Sequence, residues 1–163
     1  MAKKEEKTNV MRVLEQKGIP YTPHTYPHEE GVAVDGVTVA RSMGQDPECV
    51  FKTLVARGAS NALYVFDIPV GDSLDLKKAA KAVGEKSIAM IHVSEITALT
   101  GYVRGGCSPI GMKKQFVTVY HSSIDALDSV MVSAGKIGYQ IDIAPAELIK
   151  LTRGKTADII TER

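Results

Sequence analysis

Hydrophobic spacing along the chain switches repeatedly between a helical and an extended period. Val10, Met11, Val13 and Leu14 recur at helical spacing, with Thr8 as a cap before them and Gly18 as a stop after them; the pattern predicts a first helix over residues 8–17. Ile19-Pro20-Tyr21 then leads into a short extended segment ending near Thr25-Tyr26 and broken by Pro23 and Pro27. A short helix is expected from Val37 to Met43, closed by Gly44. From Phe51 the period shortens. Residues 51–56 and 62–68 read as strands joined by a hairpin-length turn, Arg57 to Asn61. Residues 72–83 have helical composition up to Gly84, residues 87–91 read as a strand, and a helix is expected over 93–99. A loop rich in Gly and Pro, residues 101–111, precedes a strand over 116–120. Residues 129–133 and 139–143 form a final strand pair around Ala134 to Gly138, and Ala144-Pro145-Ala146-Glu147 opens a closing helix.

Strands that follow one another through short turns, with helices interspersed irregularly, predict an α/β (α+β) fold built on a mixed, mostly antiparallel sheet. Regular βαβ alternation, internal repeats and linkers are missing from the pattern. The expectation is one domain over residues 1–163, with residues 1–7 as a flexible tail.

Composition narrows the function classes. Hydrophobic residues make up 44% of the 163 and charged residues 24%, as in ordinary packed proteins. The chain has no Trp and only 6% aromatic residues, which argues against a base-stacking platform. With a net charge of +1, any nucleic-acid contact must rest on a local patch. Lys77, Lys78 and Lys81, with Lys86 and Lys113-Lys114, offer one such face; solvated surface lysines are the plain alternative. Cys49 and Cys107 are far apart and suit a reducing compartment. The charged N-terminus reads as neither signal peptide nor anchor, and the apolar runs are strand-sized. The expected location is cytoplasmic, away from any membrane.

Three segments could carry chemistry. The run Gly101-Tyr102-Val103-Arg104-Gly105-Gly106-Cys107-Ser108-Pro109-Ile110-Gly111 can turn several N–H groups toward one point and so receive an anion or a developing oxyanion; an ordinary double turn is the other reading. No Gly-Lys-Ser/Thr follows, so a nucleotide P-loop is excluded. Lys52 interrupts the apolar strand Val50 to Val55, either on the solvent face or as a cation lining a pocket. Ser133, at a strand end before Gly135, is either a turn former or a hydroxyl offered to a cleft. His24 and His28 stand four apart, yet Pro23 and Pro27 oppose the helix that would aim both at one metal; no metal and no cofactor are expected. Cys107 is the one thiol on the Gly-rich loop, has no His or carboxylate beside it in sequence, and reads as structural.

Taken in order, these segments resemble the YbaK/EbsC-type family of free-standing Cys-tRNA(Pro) deacylases, related to the insertion domain of prolyl-tRNA synthetases. The likeness runs from Ile19 to Leu148. It rests on His24-Thr25-Tyr26, Phe51-Lys52-Thr53-Leu54, Leu76 to Lys81, Thr100-Gly101-Tyr102, Gly105 to Gly111, and Val132-Ser133-Ala134-Gly135-Lys136 leading to Ile141-Asp142-Ile143-Ala144-Pro145. The resemblance implies a barrel-like sheet with helices around it and places Lys52 at the centre of function. Tyr26, Gly106 and Ser133 fall at other pocket-lining positions, and Gly105, Ser108 and Gly135 are expected to help hold the substrate. Cys107 occupies the free position of a Gly-Gly-x-Ser-Pro pattern.

The activity so implied is hydrolysis of the aminoacyl ester of mischarged tRNA, foremost Cys-tRNA(Pro), at the 3′ acceptor end. Lys52 would hold the ribose-phosphate end or the carbonyl. Amides around Gly105-Gly106 and near Ser133-Gly135 would receive the oxyanion, each donor worth about 2.7–4 kcal/mol. The substrate's own thiol would attack its carbonyl, which removes the need for a protein nucleophile. Prolyl-tRNA synthetase is the implied helper, and a monomer is the expected state. The rival readings are a non-catalytic module that binds tRNA or a synthetase, and another small acyl- or metal-dependent hydrolase.

Overall fold

Thr8 caps the first helix as the sequence suggests: its hydroxyl accepts from the Met11 N–H at 3.3 Å, and α1 runs over Asn9–Gln16. The computed structural model describes residues 7–29 and 31–162. The expected tail lies outside these except for Lys7, whose amine pairs with Glu15 at 2.8 Å. The remaining elements are β1 (Tyr21–Thr25), α2 (Gly36–Ser42), β2 (Phe51–Gly58), β3 (Leu63–Pro69), α3 (Leu76–Val83), β4 (Ile88–Met90), α4 (Ile96–Thr100), β5 (Val117–His121), β6 (Val130–Ser133), β7 (Tyr139–Ile143), α5 (Pro145–Thr152) and β8 (Lys155–Ala157).

Local chemistry sets several boundaries. The α3 helix starts later than its composition suggests because the Asp75 carboxylate accepts from the Lys77 and Lys78 N–H groups, fixing the cap at residue 75. Gly84 ends it in the left-handed region at φ 72°. The segment expected as one helix over 93–99 divides into a 3-10 turn, Val93–Glu95, and the short α4. The β8 strand was not anticipated: Lys155-Thr156-Ala157 has little apolar signal and is held by parallel pairing to β5.

The strands form two sheets. Five are ordered β4-β2-β3-β5-β8 and three β1-β7-β6. Pairing is antiparallel for β2 with β3 and β4 and for β7 with β1 and β6, and parallel for β3-β5 and β5-β8. The mixed, mostly antiparallel α/β expectation therefore holds, but the barrel-like sheet does not: the two sheets do not close. The physical reason lies along β2. Its antiparallel partner β4 covers only Ala56 to Gly58, and toward β6 a single bridge, Val50 with Met131, joins the sheets. Between these points the Val55 carbonyl accepts from the Ile91 N–H at 3.3 Å, and the edge of β2 from Phe51 to Leu54 pairs with no strand among the described residues.

Two apolar clusters flank the larger sheet. One gathers Val10, Leu14, Phe51, Tyr120, Ile141 and Leu148 beneath α1 and α5; the other joins Phe66, Ile68, Ala79, Ala80 and Ile159 under α3. Each fully buried large side chain contributes roughly 1.5–3 kcal/mol. β3 is buried on both faces, as a central strand should be, and Asp67 is the one carboxylic acid within it.

Candidate active site

The open edge of β2 borders a cavity of about 640 Å³, lined continuously by Val50 to Val55. Its other walls come from the α2 region (Asp35, Gly36, Val39), the Gly-rich loop (Arg104, Gly105, Cys107), Tyr26 beyond β1, and Ser133 and Gln140 of the smaller sheet. The site thus occupies the gap that a closed barrel would have filled.

Lys52 is half-buried in this wall, and its Nζ donates a long hydrogen bond of 3.4 Å to the Val70 carbonyl. Burial lowers its pKa from the ordinary lysine value, opposed by the nearby carboxylates of Asp35 and Asp72. Tyr26 is buried against the cavity; its N–H donates to the Gly138 carbonyl at 3.0 Å, and burial raises its phenol pKa. Ser133 stands opposite Gln140 in the β6-β7 ladder, and both side chains reach the cavity.

Lys52, Tyr26, Gly105 and Ser133 therefore come together, while the other three expected residues lie behind the wall. Gly106 is buried, its N–H donates to the Val103 carbonyl at 2.9 Å, and an added Cβ would sit 2.9 Å from the Ile137 nitrogen. Ser108 is fully buried and accepts from the Ile110 N–H at 3.3 Å, closing a turn inside the loop. The Gly135 N–H donates to Ser133 Oγ at 3.1 Å, so it orients the hydroxyl and is itself occupied. Gly105 is the glycine of the loop that lines the cavity; it is exposed, at φ +86°, and an added Cβ there would meet Ala33 Cβ at 2.8 Å. The loop is anchored from behind: Tyr102 OH donates to the Ile110 carbonyl at 2.5 Å, and Asn9 Nδ2 donates to the Gly111 carbonyl at 3.2 Å.

Other expected features take different places. Cys107 touches the cavity, but burial and the proximity of Asp67 push its thiol up to about 12, the opposite of an activated nucleophile. His24 Nε2 lies 4.0 Å from Asp142, and His28 Nδ1 is 3.0 Å from the Tyr26 carbonyl. Among the described residues no three His, Cys, Asp or Glu side chains gather as a metal site. Lys78 leaves the basic face, because its amine binds Asp158, Glu162 and the Ile160 carbonyl at 2.9–3.1 Å. No helix among the described residues is long and apolar enough to cross a membrane.

Sequence reasoning missed Gln140, whose Oε1 is buried without a partner among the described residues, and the pair formed by Thr53 and Asp67. Asp67 carried the one available signal, a charge inside the apolar run Tyr64 to Ile68.

Residues 31–151 match the model of the aminoacyl-tRNA editing domain. The chain belongs to that family. It is 44% identical to a protein of Enterococcus faecalis named as a candidate Cys-tRNA(Pro)/Cys-tRNA(Cys) deacylase, EbsC, over 99% of both chains. It is also 25% identical to a proline–tRNA ligase of Shouchella clausii, over 91% of this chain and 27% of the ligase. The fold matches the crystal structure of a candidate trans-editing enzyme for prolyl-tRNA synthetase with a TM-score of 0.80, covering 94% of this chain and 95% of that one at 24% identity. Family membership and fold thus coincide with the geometry of a cavity built around one lysine.

Proposed function

We propose that this editing-domain protein is a free-standing aminoacyl-tRNA deacylase that hydrolyses mischarged tRNA in trans, with Cys-tRNA(Pro) as its preferred substrate. The observation that carries the reading is the half-buried Lys52 in a 640 Å³ cavity whose only thiol is deactivated by burial. Such a site can hold and polarise an ester without forming an acyl-enzyme. An ester is already activated, so orientation supplies much of the rate. Lys52 offers its ammonium to the ribose-phosphate end or to the carbonyl, and the Gly105 backbone lies where a carbonyl oxygen can gain charge. Tyr26, Ser133 and Gln140 close around the aminoacyl group. Arg104, exposed at the rim, is placed for a backbone phosphate of the acceptor end. The amides of Gly106 and Gly135, already committed internally, shape the wall and leave the donating to others.

In this reading the cysteinyl thiol attacks its own carbonyl, and prolyl-tRNA synthetase delivers the tRNA. Likeness to a named Cys-tRNA deacylase across the whole chain supports a cysteinyl substrate, and likeness to part of a proline–tRNA ligase supports the synthetase as helper. The test is a deacylation panel of Cys-, Ala-, Ser- and Pro-charged tRNA(Pro), with and without the synthetase. Fast release of cysteine, slower release of the others and stimulation by the synthetase are expected. Retention of charged tRNA with no release above background would instead make this a binding module.

A further inference from the structure

Asp67 is used by none of the steps above, yet it is the most unusual polar group in the protein. It lies at the centre of β3 with no exposed surface. Its Oδ1 is 2.6 Å from Thr53 Oγ1, across the β2-β3 ladder where the two residues are direct partners. Its Oδ2 is buried and has no partner among the described residues. A buried carboxyl with one hydroxyl contact and no cation is destabilising as a purely structural element. Thr53, its one contact, is half-buried in the cavity wall beside Lys52.

We propose that Asp67 and Thr53 form a two-residue proton path from the cavity to the interior, through which the thiol of a bound cysteinyl ester loses its proton and the departing ribose oxygen regains it. This rests on the deacylase reading above. In the first step the substrate S–H bond breaks, its proton joins Thr53 Oγ1, and the Thr53 hydroxyl proton passes to Asp67 Oδ1. The sulfur pair forms the S–C bond as the carbonyl π pair moves to oxygen. In the second, that pair returns, the C–O3′ bond breaks, and the 3′ oxygen takes a proton back along the same two atoms. The products are a free 3′-hydroxyl and cysteine thiolactone, which water opens to cysteine; no further reactant is needed.

The balance of acidities suits the task. Burial raises the Asp67 pKa to about 8, with the Thr53 hydrogen bond opposing. A cysteine thiol ordinarily titrates near 8.5, so once Asp67 is ionised the proton moves between nearly matched partners, and the step gains as pH rises from 6 toward 9. The groups facing Asp67 are Thr53 from β2, the Tyr120 phenol from β5 and the Cys107 thiol from the loop; its charge raises the pKa values of the latter two. Neither can compete for the proton: Cys107 is pushed up to about 12 and Tyr120 well above the ordinary tyrosine value, its hydroxyl being paired with Thr152 at 2.8 Å. Asp67 reaches the substrate only through Thr53 and is therefore a positioning residue that stores a proton.

The experiment is single-turnover release of cysteine from Cys-tRNA(Pro) by wild type, Asp67→Asn, Thr53→Val and Thr53→Ser, from pH 6 to 9 and in mixtures of light and heavy water. Expected are a tenfold or larger fall in the rate constant for Asp67→Asn and Thr53→Val with half-saturation changed less than twofold, and rescue by Thr53→Ser to within threefold. The wild-type solvent isotope effect should show two protons in flight, and Asp67→Asn should show one. Thr53→Ser keeps both the buried carboxyl and its one hydroxyl contact while Thr53→Val removes only the hydroxyl, so the contrast between these two decides the matter if the Asp67 variant is misfolded. Variants within threefold of wild type at every pH, with an unchanged isotope effect, overturn the path while leaving the deacylase standing. A wild type that releases no cysteine overturns the deacylase reading and this inference with it.

Discussion

Lys52 Nζ reaches the Val70 carbonyl oxygen at 3.4 Å, so the amine that faces the cavity is tied to the protein by one weak hydrogen bond. Lys52 also lines the cavity that a substrate would fill. Replacing Lys52 by Ala should lower deacylation about 10²-fold or more, the scale of losing one electrostatic stabiliser. Arg should not restore it, because a planar fork cannot reproduce a compact ammonium. Unaltered turnover by Lys52→Ala would remove the lysine from the reaction.

The same lysine weakens the fold. Its folded pKa lies below the unfolded one, so the unfolded chain binds more protons between the two values and stability rises with pH across that window. Below it, the full cost of the half-buried charge is present. Lys52→Met should therefore melt higher than wild type at pH 7 while being inactive. A lower melting temperature would show that the amine contributes more to packing than its burial costs.

Asp67 has the opposite linkage sign to an ordinary paired carboxylate. Its folded pKa of about 8 exceeds the unfolded value, so its contribution is complete below about pH 4 and is lost as pH rises through 8. The loss is on the order of 5 kcal/mol for a full shift. Denaturant midpoints should fall between pH 5 and pH 9 in wild type and stay flatter in Asp67→Asn. Parallel curves for the two proteins would place the titrating group elsewhere.

Cys107→Ala should remain active within about threefold and lose roughly 1–2 kcal/mol of stability from the small void it leaves. A thiol pushed up to about 12 should also resist alkylation at pH 7.5. Rapid labelling accompanied by inactivation would revive a protein nucleophile.

Gly105→Ala should slow turnover at least tenfold while folding. The new methyl would press on Ala33 Cβ at 2.8 Å, and φ +86° is strained for any L side chain, at about 1–3 kcal/mol. Half-saturation and rate measured together test this; an unaffected rate would mean that the backbone at 105 does not meet the substrate.

Much of this could be read from the residues because local rules agree with the global fold at those places. The Thr8 cap, the Gly84 stop and the hairpin of β2 and β3 each carry their own signal. So does the Phe51-Lys52-Thr53-Leu54 segment, where one cation interrupts an apolar strand. Other features depend on partners distant in sequence. β8 exists because β5 offers it an edge, and Gly106 and Gly135 look like oxyanion donors until Val103 and Ser133 are seen to occupy their N–H groups. Lys78 looks like an RNA contact until Asp158 and Glu162, some eighty residues on, claim it. The barrel-like sheet that the resemblance implies is the expectation that fails with consequence: likeness of short segments does not fix whether the two sheets meet along β2.

That unjoined seam has a price in stability and a use. Lacing Phe51 to Leu54 to a neighbouring strand would add several main-chain bonds, each worth about 0.5–1.5 kcal/mol net, and would abolish the room beside Lys52. A ligand lying along the seam becomes, for the duration of its stay, the missing strand. Amide hydrogens on that stretch should then exchange with solvent more slowly when a non-cleavable aminoacyl-adenosine is bound, as though the sheet had briefly finished itself.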